Sequence, residues 1–258
     1  MSGRAAVLRH LLREKGLLWL IAFAAAEVLR RLTRGMDRRV EALERRRGIG
    51  GFFSAETQRV VWDAYDWARD GEEWTQSEEW KRSVVAELLR PHVGQGCDVL
   101  EIGPGAGRWS VELQPAARTL TLVDVSRAGI ERCRARLQGA PNVEFIVNDG
   151  RSIPCDAGRF HRVWSFDVFV HIGADDTARY LAELRRVLRP GGLALIHHTA
   201  DGGIRGRWRS HMTAEQFASL ARGAGLSVSR QFDTWRHEGR EFGVSGSGDA
   251  ITILEKSS

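Results

Sequence analysis

The stretch Cys97-Asp98-Val99-Leu100-Glu101-Ile102-Gly103-Pro104-Gly105-Ala106-Gly107-Arg108-Trp109 decides the fold of this 258-residue chain. Its first part is an apolar run with one carboxylate, Glu101, near the end, the pattern of a buried strand. The run breaks into glycines at 103, 105 and 107, and good helix formers follow. Glycine at such a corner lets the backbone turn sharply and pass close to a ligand with no Cβ in the way. The helix behind it aims free N–H groups and a positive dipole end at the same place. The unit is a nucleotide-binding strand–turn–helix.

Downstream, strands and helices alternate. Strands are predicted over 99–102, 119–123, 143–147, 162–166, 193–197, 227–232 and 250–254. Helical patterns fall between them over 108–114, 127–137, 177–188 and 214–224, and Arg189-Pro190-Gly191-Gly192 reads as a sharp turn into the fifth strand. This is an α/β chain: a doubly wound, mainly parallel seven-stranded sheet with helices on both faces, plus an N-terminal helical appendage or lid. Its ligand belongs at the carboxyl ends of the strands, near the switch point. The acids there are Glu101, Asp124, Asp149 and Asp167. A carboxylate ending the second strand can accept both hydroxyls of a ribose, and Asp124 stands 21 residues after Gly103. Read singly, Asp124 also suits a helix cap and Asp149 a turn, since aspartate favours both.

Together these residues resemble the class I S-adenosylmethionine-dependent methyltransferases, over residues 95–255. One residue separates the second and third glycines, where NAD-binding folds usually place two. The resemblance implies S-adenosylmethionine as cofactor. It implies that Gly103 and Gly105, with Gly107 completing the motif, line its methionine part and that Glu101 orders the loop. Asp124 would hold the ribose, Asp149 and the Gly150 backbone would meet the adenine, and Ser165-Phe166-Asp167 would lie beside the methyl group. The family's last strand is antiparallel, which fits 250–254.

Methyl transfer needs alignment of an already activated donor, and a hydroxyl or protonated amine acceptor needs a base. Histidine suits neutral pH. His171 follows the fourth strand and is the first candidate. His197 and His198 end the fifth; strand neighbours face opposite sides, so one of them reaches the site, and His198 is taken as the second candidate. His211, in the long connection after that strand, is the third. Arg205, Arg207 and Arg209 in the same connection suit an acidic acceptor or a solvated face. Asp167, Asp175 and Asp176 form no convincing ligand set, so no metal is expected.

The fourth strand ends Ser165-Phe166-Asp167-Val168 and lacks the Asn/Asp-Pro-Pro-aromatic element of enzymes acting on adenine or glutamine nitrogens. This speaks against DNA. The net charge of +5 is local: residues 30–47 carry eight arginines against Asp37, Glu41 and Glu44, which leaves the core near neutral. The expected acceptor is therefore a small molecule, a saccharide, secondary metabolite or lipid-linked intermediate modified on oxygen or nitrogen. Two alternatives stay open: an RNA methyltransferase gripping phosphates with the basic segment, and a catalytically silent S-adenosylmethionine-binding partner subunit.

Three segments divide the chain: a basic and apolar helical segment over 1–47, a tryptophan-rich helical lid over 48–92, and the cofactor domain over 93–258. The apolar run of residues 17–26 is too short to span a bilayer. It suits a helix packed on the core or on a second copy in a homodimer, or one lying on an anionic membrane surface. In the lid, Trp74 and Thr75 follow a glycine and are read as covering the cofactor, whereas Trp62 and Trp67 are read as staples to the core. Thr75 or Ser77 caps a helix that stops before Pro91. Cys97, Cys133 and Cys155 lie far apart, which suits a reducing compartment, the cytoplasm, and argues against disulfides and zinc.

Overall fold

The computed structural model describes residues 52–202, 209–244 and 248–257, with Leu17 and Arg39. The expectations for residues 1–47, and those for Arg205 and Arg207, lie outside the described residues. Among the described residues no helix is long and apolar enough to cross a membrane.

The chain enters through α1 (Ala55–Asp63), capped by Ser54, and two 3₁₀ turns, Trp67–Arg69 and Glu72–Trp74. Ser77, not Thr75, caps α2 (Glu78–Val84) by accepting the Trp80 N–H; Thr75 donates its hydroxyl to Glu72. Ser77→Ala should cost about 1 kcal/mol and lower the melting temperature by about 3 °C, read by calorimetry. Pro91 does not stop this helix. Its rod widens into a π-turn at Val85–Leu89, where the Arg90 N–H reaches the Val85 carbonyl, and closes with one more turn, Arg90–Val93. Proline has no N–H to place, and the wider turn relieves its ring of the usual clash with the preceding carbonyl.

The sheet follows: β1 (Cys97–Ile102), a single turn α3 (Ser110–Leu113), β2 (Ala117–Asp124), α4 (Arg127–Arg136), β3 (Val143–Val147) and β4 (Phe160–Ser165). Then come α5 (Ala174–Val187), β5 (Leu188–Thr199), α6 (Ala214–Gly223), β6 (Ser227–Phe232), a hairpin of β7 (Thr234–His237) and β8 (Arg240–Gly243), and β9 (Asp249–Glu255). Seven strands pair in the order β3-β2-β1-β4-β5-β9-β6, and β9 runs antiparallel to both neighbours. The expected doubly wound sheet with its antiparallel last strand is present.

Its central strands are buried on both sides, so their side chains split between two cores. Val99, Leu120 and Leu122 face α2, α3 and α4. Leu100, Ile102, Val123 and Ile196 face α5 and α6. Arg189-Pro190-Gly191-Gly192 is not a free turn but the irregular start of β5: Leu188 already pairs with Phe160, and Gly191 and Gly192 bond with Lys256. The β7–β8 hairpin was not foreseen. It latches α2 through Trp235 Nε1 donating to Ser83 Oγ and Trp80 Nε1 donating to the Gly243 carbonyl.

Candidate active site

The carboxyl ends of β1, β2 and β4 surround a cavity of about 720 Å³, covered by α1 and the two 3₁₀ turns. β1 is the switch point, since the chain leaves it toward β2 on one side and returns to β4 on the other.

The glycine loop forms its floor. A Cβ on Gly103 would sit 2.3 Å from Val168, and one on Gly105 would sit 2.7 Å from the ring of Trp67. Both positions have positive φ, so glycine is required there twice over. Gly107 is off the cavity wall and packs on Cys133. Glu101 lies beneath the loop rather than on the wall. It is fully buried and accepts the Ser110 hydroxyl at 2.6 Å. Burial pushes its pKa up to about 8, with the charge of Asp124 adding to the rise against the Ser110 hydrogen bond. Asp124 lines the cavity and accepts the amides of Gly105 (2.9 Å) and Ser126 (2.8 Å). Burial raises it to about 6 in spite of those bonds.

Gly150 lines the cavity, against Ala55 at the start of α1. Asp149 does not. Its carboxylate is exposed and accepts the amides of Arg151 and Ser152. The expected adenine contact of Asp149 is thus replaced by its role as a turn residue, because neighbouring amides satisfy it locally.

Phe166 and Asp167 both line the cavity. Asp167 has φ +61°, a costly conformation for a residue with a side chain, and such residues cluster at functional sites. Its carboxylate meets Arg108 Nη2 at 2.5 Å and His197 Nδ1 at 3.0 Å. Burial would raise its pKa, but Arg108 and His197 override burial and hold it well below the usual carboxylate range. Arg108 is itself buried, sits over the rings of Trp74 and Trp109, and has one guanidinium nitrogen, Nη1, without a hydrogen-bond partner among the described residues. The chain of charges continues inward. His197 Nε2 lies 3.3 Å from Asp249, which pairs with Arg209 at the cavity edge. Burial opposes the charged form of His197, yet the two carboxylates raise its pKa.

Of the three candidate histidines, only His171 is on the wall. It stands in the 3₁₀ turn Phe169–His171, its ring 5.1 Å from that of Trp62. His198 is a correction: β5 turns it to the far face, where it stacks on Phe217 at 3.7 Å and bonds Thr199 and Thr252. Burial drives its pKa down to about 3, so it is no base for the cavity. Its neighbour His197 points the other way, to Asp167, and stands behind the cavity wall rather than on it. His211 is exposed, its ring edge against Phe53, and is absent from the wall.

The lid is tied down on both sides. Arg132 and Arg136 of α4 hold Asp70 and Glu72, Arg151 holds Glu56, and Asp176 of α5 accepts the Ala55 amide. Trp74 lines the cavity, and so do Trp62 and Trp67, which are wall as well as staple. The sequence reading missed Arg108, His197 and Asp249. For Arg108 a signal existed, since a cation just before a helix N-terminus opposes the helix dipole and needs another reason to be there.

Strand order, antiparallel β9, glycine loop and Asp124 together define a Rossmann-like methyltransferase fold. The methyltransferase-domain family model matches residues 99–192, and the fold is that of the class I S-adenosylmethionine-dependent methyltransferases. A phthiotriol/phenolphthiotriol dimycocerosates methyltransferase of Mycobacterium tuberculosis is 30% identical over 177 residues, 58% of this chain and 62% of that protein. The N-methyltransferase NodS of Bradyrhizobium japonicum, solved with S-adenosylhomocysteine, has a TM-score of 0.60 at 18% identity, covering 79% of this chain and 99% of that one. The 1,6-didemethyltoxoflavin-N1-methyltransferase of Burkholderia thailandensis, solved with 1,6-didemethyltoxoflavin and S-adenosylhomocysteine, has a TM-score of 0.60 at 20% identity, covering 79% and 89%. These two likenesses concern the fold. The matches span 32–62% of the length of the curated relatives.

Proposed function

We propose that the chain transfers a methyl group from S-adenosylmethionine to an oxygen or nitrogen of a small-molecule acceptor. One observation carries the reading: a single cavity joins the glycine loop and Asp124 to His171. The residues present fit the cofactor. Gly103 and Gly105 bring bare backbone to the cavity wall, and Arg108 Nη1 is a buried donor with no partner among the described residues. When bound, S-adenosylmethionine supplies a methyl group on a positively charged sulfur, already activated for displacement.

Asp124 would accept the ribose hydroxyls. Arg108 Nη1 would hold the α-carboxylate and Asp167 the α-ammonium, so one ion pair would read both charges of the amino-acid end. The lid keeps water from the acceptor. His171 takes the proton that the acceptor loses. Names among the relatives, one acting on phthiotriol dimycocerosates and one on 1,6-didemethyltoxoflavin, support a small molecule. The dispersed free cysteines Cys97, Cys133 and Cys155 support the cytoplasm as the place of reaction.

Calorimetric titration with S-adenosylhomocysteine, followed by an acceptor screen for its production, tests the reading. Tight binding and turnover are expected. Binding without turnover on any acceptor favours a silent subunit, and turnover confined to RNA favours the RNA enzyme. Once an acceptor is in hand, His171→Ala should lower kcat about a hundredfold and remove the acid limb of the rate profile, with S-adenosylhomocysteine affinity unchanged. An unaltered profile would remove His171 as the base.

A further inference from the structure

The lid presents a cluster of aromatic rings to the cavity, beside the smaller Val61 and Ala64 and the polar Gln58 and Asp66. Trp62, Tyr65, Trp67 and Trp74 all line it, with centroids 4.9–6.0 Å apart and interplanar angles from 29° to 81°. Three of the four have their polar atoms engaged within the lid. Trp62 Nε1 donates to Gln58 Oε1 at 2.9 Å, Trp67 Nε1 to the Trp62 carbonyl at 3.1 Å, and Tyr65 Oη to Glu73 at 2.6 Å. Tyr65 is fixed as a donor, and burial with the Glu73 hydrogen bond pushes its pKa up to about 12. What these residues offer a ligand is ring surface.

We infer that the acceptor is a planar aromatic or heteroaromatic molecule whose hydroxyl or amine points to His171. The inference rests on the cofactor reading above and names the substrate class of that same site. Aromatic rings recognise one another by offset and edge-to-face contacts that a saturated chain cannot make. An alkyl chain would be served as well by leucine and valine, and rigid tryptophans confer no advantage for it. A sugar would need hydrogen-bond partners that the rings do not supply. His171, against Trp62, is the polar-tipped ring on this wall, so it sets which atom of a stacked acceptor lies at the transfer point.

The test uses the full chain saturated with S-adenosylhomocysteine and four probes: 1-naphthol, indole, cyclohexanol and 1-decanol. Dissociation constants come from saturation-transfer NMR with competition. The aromatic probes should bind at least tenfold tighter than either alcohol. Trp62→Leu should weaken 1-naphthol about three- to tenfold, Trp62→Phe should restore most of the loss, and S-adenosylhomocysteine affinity should stay within twofold. Tyr65→Leu takes the place of Trp62→Leu if that variant does not fold. Equal or tighter binding of 1-decanol overturns the proposal, as does failure of every probe to bind. A Trp62→Leu that weakens S-adenosylmethionine but not S-adenosylhomocysteine also overturns it, because the rings would then serve the cationic sulfur. Bound 1-naphthol with no S-adenosylhomocysteine binding would sink the cofactor reading and leave the character of the wall intact.

Discussion

Asp124→Ala should weaken S-adenosylhomocysteine by several hundredfold, a loss of about 4 kcal/mol for two hydrogen bonds to a charged acceptor in a dry site. Calorimetry reads it directly. The carboxylate has two tasks. It bonds the Gly105 amide, which fixes the glycine loop, and it faces the cavity where the ribose hydroxyls would lie. Asp124→Asn keeps an acceptor oxygen for the loop but loses the charge, so it should fall between the wild type and alanine. The same group fixes the pH dependence of binding. Burial raises Asp124 to about 6, so it is ionised above that pH and protonated below it. Because the ionised form is the one that accepts both hydroxyls, affinity should fall by about tenfold per unit below pH 6. A pH-independent affinity, or an alanine variant that binds as well as the wild type, would remove Asp124 from the ribose site.

Legibility in the sequence follows physical locality. The glycine loop is readable because a sharp turn against packed neighbours admits only glycine, and the collisions at Gly103 and Gly105 show that the constraint is real. Much of the sheet is readable because strands such as β1, β3 and β9 are short, largely apolar runs bounded by turns. The choice between His197 and His198 was not readable. Alternation says that the two point opposite ways, but which one points to Asp167 depends on where β5 begins and on its irregular register near Phe160, and that pairing is made with residues far away in sequence. Asp249 was invisible for the same reason, since it meets His197 only across the antiparallel β5–β9 ladder. The hairpin left one local trace: Glu238 and Gly239 both adopt positive φ, the requirement of a tight two-residue turn, and an acid–glycine pair between alternating side chains signals it. The tryptophans of the lid show the limit of composition. Their clustering suggests contact with the core, but whether a ring staples or lines a cavity depends on which of its faces is covered.

The buried carboxylates beneath the loop should also set stability against pH, and Glu101→Gln isolates the larger effect. Glu101 titrates near 4.5 unfolded and at about 8 in the fold, chiefly because burial disfavours its charge. Between those values the native state holds a proton that the unfolded state has released. Stability therefore falls as pH rises through this window and levels off above the folded pKa. From pH 6 to pH 8.5 this one group should cost on the order of 3 kcal/mol, a drop of about 10 °C in melting temperature. His197 acts in the same direction, since its folded pKa is raised and its stabilisation is lost as pH rises. His92 and His198 act on the other side. Burial lowers them to about 4 and about 3, so their neutral native forms cost stability only below about pH 6.5. Glutamine keeps an oxygen for the Ser110 hydroxyl and can carry no charge. The variant should match or exceed the wild type at pH 6, exceed it clearly at pH 8.5, and retain only the shallower slope left by His197. Thermal melts of both proteins at the two pH values decide it. Parallel slopes would show that the charge of Glu101 is not what the fold resists, and would move the cost to the other buried acid, Asp124.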